Sequence, residues 1–197
     1  RRTAAKIDLP RRGAMEPSVA ELESGELVMS LRTQLGGPYL SRSTDGGETW
    51  SEAAPTGLES GESCTCLRRI PGTNTLLLLW NHSKYVPQGH HHFGERTPLT
   101  AAVSTDAGKT WRIIGNLAAG PKDEYTNLGC TFRSKGQAVI TYMFCTPAWT
   151  RSRLSLRVAI VEPSWFQTGN SKSNYFHKFH KLERGGNLKL EPGRSSQ

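Results

Sequence analysis

The sequence predicts an all-β chain made of repeated antiparallel units of about four strands, the plan of a propeller blade. Three observations carry this. The string S-T-D-G-G-E-T-W at Ser43–Trp50 returns as S-T-D-A-G-K-T-W at Ser104–Trp111, 61 residues further on. That interval suits one four-stranded sheet with its connections. Apolar residues alternate with polar ones over short runs bounded by Gly, Pro, Asn and Ser, which is the two-residue period of strands. Helix signals are nearly absent.

The repeated string has a mechanism. Asp45 and Asp106 can turn their carboxylates back onto nearby backbone N–H groups. Gly47 and Gly108 can take the positive φ that a tight turn needs. Trp50 and Trp111 then offer a large apolar body at the start of a following strand. Each copy reads as a hairpin turn pinned by an Asp and anchored by a Trp.

Taken in order, residues 1–14 are basic and irregular. Ser18–Leu22 reads as the first strand, with a turn at Ser24-Gly25. Leu27, Met29 and Leu31 alternate with Val28, Ser30 and Arg32 in the second. Gly36-Gly37-Pro38 breaks it. Tyr39–Ser43 is the third, the Asp45 turn follows, and Trp50 opens the fourth. The second unit runs Cys64–Ile70, Thr75–Trp80, a long polar loop from Asn81 to Arg96, Leu99–Ser104, the Asp106 turn and Trp111–Ile114. The third begins at Tyr125–Phe132 and continues as Ala138–Phe144 and Leu154–Val161, with no Asp turn after it. Residues 1–166 are therefore taken as the β domain. Residues 167–197 are rich in Lys, Ser, Gly and Asn without periodicity, and are expected to be a polar, weakly ordered tail. Three units leave open sheet edges, which proteins avoid. Together with a first residue that is Arg rather than Met, this leads to the expectation of a piece of a longer chain.

At 197 residues and 36% apolar, the chain can bury a sizeable core. No apolar run approaches a membrane span; the longest, Leu76–Trp80, suits a buried strand. The net charge of +8 favours anionic partners. Basic–aromatic interleaving of the kind that binds nucleic acid is missing. Cys64, Cys66, Cys130 and Cys145 form no C-x-x-C pair and read as small buried residues, a disulfide being possible but not inferable. His90-His91-His92 has no carboxylate or Cys at ligand spacing and reads as a solvated loop bordering a pocket, not a metal site.

In a four-stranded antiparallel blade, the start of strand one, the end of strand two and the start of strand three share one edge. Glu16 precedes strand one of the first unit and Arg32 ends its strand two. Arg96 precedes strand three of the second unit, and Tyr125 opens the third unit. All four belong to the same face, and both Asp turns to the other. Taken singly, each has a structural reading: a rim salt bridge for Glu16 and Arg32, a loop cation for Arg96, a half-buried aromatic for Tyr125.

At these residues the sequence resembles the exo-sialidases (neuraminidases), whose catalytic domain is a six-bladed β-propeller with Asp-boxes. The match covers roughly residues 14–166, about the latter half of such a domain. E-P-S-V-A-E-L places Glu16 at the acid that pairs with the family's catalytic Tyr. M-S-L-R-T places Arg32 at the second active-site Arg, and G-E-R-T-P-L-T-A-A-V-S places Arg96 at the third. D-E-Y-T-N-L places Tyr125 at the nucleophile. The family's first Arg and its acid/base Asp lie further upstream than this chain reaches. The resemblance implies release of terminal α-linked sialic acid, with Arg32 and Arg96 binding the sugar carboxylate through paired, charge-assisted hydrogen bonds. Tyr125 would attack, since a neutral phenol is repelled less by that carboxylate than an anionic nucleophile would be. Its pKa of roughly 10 calls for a base, here Glu16. No cofactor is implied. The expected partners are sialylated glycoconjugates or another acidic sugar, and the chain by itself is expected to be inactive. Two alternatives stay open: a non-catalytic Asp-box propeller that binds acidic glycans or proteins, and a hydrolase for a different sugar.

Overall fold

The computed structural model describes residues 5–88, 92–146 and 154–169, and the backbone of 179–182 and 188–191. Three antiparallel sheets follow one another along the chain. The first has the order β1 (Met15–Glu21), β2 (Leu27–Arg32), β3 (Tyr39–Ser43), β4 (Ala54–Pro55). The second is β5 (Cys66–Arg69), β6 (Leu76–Asn81), β7 (Leu99–Ser104), β8 (Arg112–Ala118). The third is β9 (Glu124–Phe132), β10 (Ala138–Cys145), β11 (Leu154–Val161), extended by β12 (Phe179–Leu182) and β13 (Leu188–Glu191). One short helix, α1 (Pro163–Thr168), buries Trp165 and Phe166 against the third sheet's core.

The leucine run lies at the centre because every residue of β6 is buried. Its side chains alternate between two cores. Leu76, Leu78 and Trp80 join Ala20, Val28, Leu40 and Leu67 between the first and second sheets. Leu77 and Leu79 join Tyr125, Ile140, Tyr142 and Trp165 between the second and third. A strand covered on both faces reads as an unbroken apolar run, as seen here.

The repeated turns form as their chemistry predicts. Ser43 Oγ donates to Asp45 Oδ1 at 2.8 Å, and Thr49 donates its N–H to Asp45 Oδ1 at 2.9 Å and its hydroxyl to Oδ2 at 2.5 Å. Asp106 repeats this with Ser104 and Thr110. Gly47 and Gly108 sit at φ 90° and 82°. Trp50 does not open a strand as expected. Its indole folds back and donates to Gly47 O at 3.1 Å, Ser51 N then donates to Arg42 O at 2.8 Å, and the fourth strand is only the two-residue β4. Within the stretch expected to be a tail, Phe179–Leu182 pairs with β11 and Leu188–Glu191 with β12.

Candidate active site

Strand register brings the polar ends together. Met15 lies opposite Arg32, Asn81 opposite Leu99 and Glu124 opposite Cys145, so these ends form one edge of each sheet. Leu27 opposite Ser43 and Leu76 opposite Ser104 put both Asp turns at the other edge. Asn81, fully buried at the end of β6, ties the second sheet to the third. Its Nδ2 donates to Arg96 O at 2.9 Å and Tyr125 O at 3.2 Å, and Tyr125 N donates to Arg96 O at 2.9 Å.

Glu16 and Arg32 meet as a salt bridge, Nη1 to Oε1 at 2.9 Å. Arg32 is 7% exposed, and its second arm, Nη2, donates to Glu62 Oε1 at 3.0 Å and to His92 Nδ1 at 3.1 Å. Arg96, also 7% exposed, donates to Thr126 Oγ1 at 2.7 Å and lies 3.4 Å from Glu124. Burial pulls the Arg96 pKa down, and the positive charge of Arg32 adds to that, while Glu124 opposes it. The two guanidiniums therefore sense one another. Nε of each is buried without a hydrogen-bond partner among the described residues. An unpaired buried donor is costly unless something supplies an acceptor.

Tyr125 lies elsewhere. It is 2% exposed, its ring packs against Tyr142 and Phe144, and its hydroxyl donates to Asp123 Oδ2 at 2.8 Å. The pairing with Glu16 that the resemblance implies is replaced by this contact. Burial, reinforced by the Asp123 carboxylate, drives the phenol's pKa well above its ordinary value. The cause of this placement is a β-bulge. The register slips between Thr141 and Met143, with Asn127 at φ 52°. The extra residue puts Tyr125 on the same face as Leu128 and Cys130, and turns Glu124 and Thr126 toward Arg96. β1 is bulged at the same edge, between Met15 and Ser18, with Glu16 at φ 46°. Both strands thus re-aim their ends where the polar residues gather.

Beside Arg96 a cavity of about 190 Å³ is lined by Glu124, Thr126, Asn127, Met143, Phe144 and Cys145, among others. The cluster as a whole holds Arg12, Arg32 and Arg96 against Glu16, Glu62 and Glu124. Glu62, Glu124, Thr126 and Asn81 were not singled out from the sequence, whereas His92 was read only as part of a loop bordering a pocket and here contacts Arg32 and Glu62. Glu62 belongs to a connection, not a strand, so no periodicity marks it. Glu124 and Thr126 would be found by counting from Leu128 only if the bulge were known. His90 and His91 lie outside the described residues. No group of His, Cys, Asp or Glu among the described residues is arranged to hold a metal, and no described helix is long and apolar enough to cross a membrane.

Sheets stacked with one shared polar edge, Asp-pinned turns on the other and an arginine–carboxylate cluster define part of a β-propeller. Residues 2–127 match the BNR repeat-like domain, and the chain belongs to that family. Its three sheets are similar to portions of solved propellers. They superpose on the leech intramolecular trans-sialidase with a TM-score of 0.59 at 20% identity, covering 78% of this chain and 24% of that one. For the intramolecular trans-sialidase of Ruminococcus gnavus the TM-score is 0.63 at 20% identity, with 82% and 35% covered. For the alpha-L-arabinanase of Penicillium chrysogenum it is 0.57 at 16% identity, with 95% and 51% covered. The chain thus spans about a quarter to a half of the length of these structures. At this identity the likeness is one of fold, a fold shared by glycoside hydrolases of more than one kind. A search of curated proteins finds no match.

Proposed function

We propose that this chain supplies part of the active site of a sialidase-like glycoside hydrolase acting on glycans that end in an acidic sugar. One observation carries the reading: two buried guanidiniums, Arg32 from the end of β2 and Arg96 from the loop before β7, come to one edge, each with an Nε unpartnered among the described residues. Two such groups match a carboxylate through charge-assisted hydrogen bonds. In this role Arg32 and Arg96 bind the sugar's carboxylate, and Glu16 steadies Arg32. The resemblance gives Tyr125 the nucleophile's part, with Glu16 as its base. The phenol would reach a sugar only by leaving Asp123 and the core. Hydrolysis of a fluorogenic sialoside by the full-length protein is the test. Loss of turnover in Tyr125→Phe with folding intact supports that role, and unchanged turnover removes it.

A second reading keeps the hydrolase fold and changes the sugar. It is favoured by the charge balance, because Arg32 is already met by Glu16 and Glu62, and Arg96 by Glu124. Carboxylates at such an edge suit acid and base work on a neutral glycan such as an arabinan. Binding of arabinobiose but not N-acetylneuraminic acid would select it.

A further inference from the structure

Glu62 is the most heavily engaged carboxylate of the cluster, and nothing in the motif set accounts for it. It lies in the connection from β4 to β5 and is 2% exposed. Its Oε1 accepts from Arg32 Nη2 at 3.0 Å and from Arg12 Nη1 at 2.6 Å. Its Oε2 accepts from Gln34 Nε2 at 2.9 Å and lies 3.5 Å from His92 Nδ1. Its own backbone N–H donates to His92 O.

The segment around it is fixed just as tightly. A Cβ on Gly61 would come within 2.8 Å of Gly94 Cα, and one on Gly94 within 2.9 Å of Gly61 Cα. Two glycines therefore let the connection cross the 82–96 loop at backbone contact. Tyr85 closes the same crossing, with its N–H on Glu59 Oε1 at 3.0 Å and its hydroxyl on Gln34 O at 3.0 Å. The Glu62 backbone and its Oε2 are thus held by groups other than the guanidiniums, and Arg32 is held from two sides, Nη1 by Glu16 and Nη2 by Glu62. A guanidinium held by both arms cannot pivot about its long stem, and Nε keeps one direction.

We infer that Glu62 is a positioning residue. It sets the orientation of Arg32 for an anionic group of the substrate and ties the segment carrying Arg12 and the loop carrying His92 to that same arginine. The inference rests on the reading of Arg32 as a carboxylate-binding residue. It differs from a simple counter-charge in the sign of its effect. Removing a negative charge beside an anion site strengthens anion binding by field alone. Removing a clamp weakens it, because a misplaced guanidinium loses its paired hydrogen bonds.

The experiment uses this chain, wild type and Glu62→Gln, with two readouts. The first is the NMR signal of the Arg32 guanidinium. Wild type should give separately resolved Nη hydrogens, because each arm is held, and Glu62→Gln should merge them. Unchanged Arg32 signals in the variant overturn the inference. The second is titration with N-acetylneuraminic acid, where Glu62→Gln should bind on the order of tenfold more weakly. Equal or tighter binding also overturns it. If Glu62→Gln does not fold, Glu62→Asp keeps the charge, shortens the reach by one methylene and carries the same two predictions. If wild type binds no N-acetylneuraminic acid, it is the acidic-sugar reading that falls, and the guanidinium signals still decide the role of Glu62.

Discussion

Asn127 decides which way its neighbours on β9 face. Counting back from the inward Leu128 and Cys130 by strict alternation sends Thr126 and Glu124 into the core and leaves Tyr125 on the other face, aimed at the polar edge. The extra residue at φ 52° reverses this. A single-residue slip flips every side chain beyond it, and nothing in D-E-Y-T-N-L announces one, since Asn tolerates positive φ but does not demand it. The positions of Glu16, Arg32 and Arg96 at one edge were legible, because they needed only strand order. The direction of the Tyr125 ring was not. Its hydroxyl donates one part-buried hydrogen bond, to Asp123. Tyr125→Phe should therefore lower stability by about 0.5–1.5 kcal/mol in chemical denaturation, the worth of one such bond. A cost near zero would mean that the hydroxyl lies outside the core in solution.

At the level of the element, the Asp turns were almost fully legible. Their hydrogen bonds join residues two and four apart, so local sequence suffices. The two copies differ in what surrounds them. Around Asp106, Arg42 donates to Ala107 O, and a Cβ on Gly108 would meet Leu40 at 2.9 Å, so this turn is docked on the first sheet. Among the described contacts, the Asp45 turn packs with its own Trp50 and Leu27. Asp106→Asn should accordingly lower Tm more than Asp45→Asn; equal shifts would argue against the docking. Both carboxylates are held below their usual range, first by the hydroxyl and then by the N–H of the Thr that follows, Asp45 to about 2. A depressed folded pKa gives stability that is present above the unfolded value of 3.8 and lost as pH falls toward about 2. The acid limb of the Tm–pH curve should flatten in the double Asn variant. A curve that keeps its acid limb would shift the cause to other groups, Glu62 among them. Burial alone would raise Glu62, but its Gln34 hydrogen bond and the charges of Arg32 and Arg12 outweigh this and hold it low.

On the scale of the whole molecule, the order of three antiparallel sheets follows from a repeated turn and from a leucine run long enough for one buried strand. The loops that finish the site do not follow from either. Glu62 meets His92, and Tyr85 meets Glu59, because two connections cross at Gly61 and Gly94, and long-range crossings leave no periodic trace. The middle sheet is covered on both sides, with fully buried Trp80 filling the core shared with the first sheet. Trp80→Ala should cost about 3–5 kcal/mol in denaturant unfolding. A cost below about 1 kcal/mol would mean that the first two sheets do not share a core.

The central claim is that the arginine edge, opposite the Asp turns, binds an acidic sugar. NMR titration of this chain with N-acetylneuraminic acid tests it most directly. Shifts are expected at the guanidiniums of Arg32 and Arg96 and at Thr126, absent in Arg96→Ala. Shifts confined to the Asp45 and Asp106 turns, or none at saturating sugar, would contradict it.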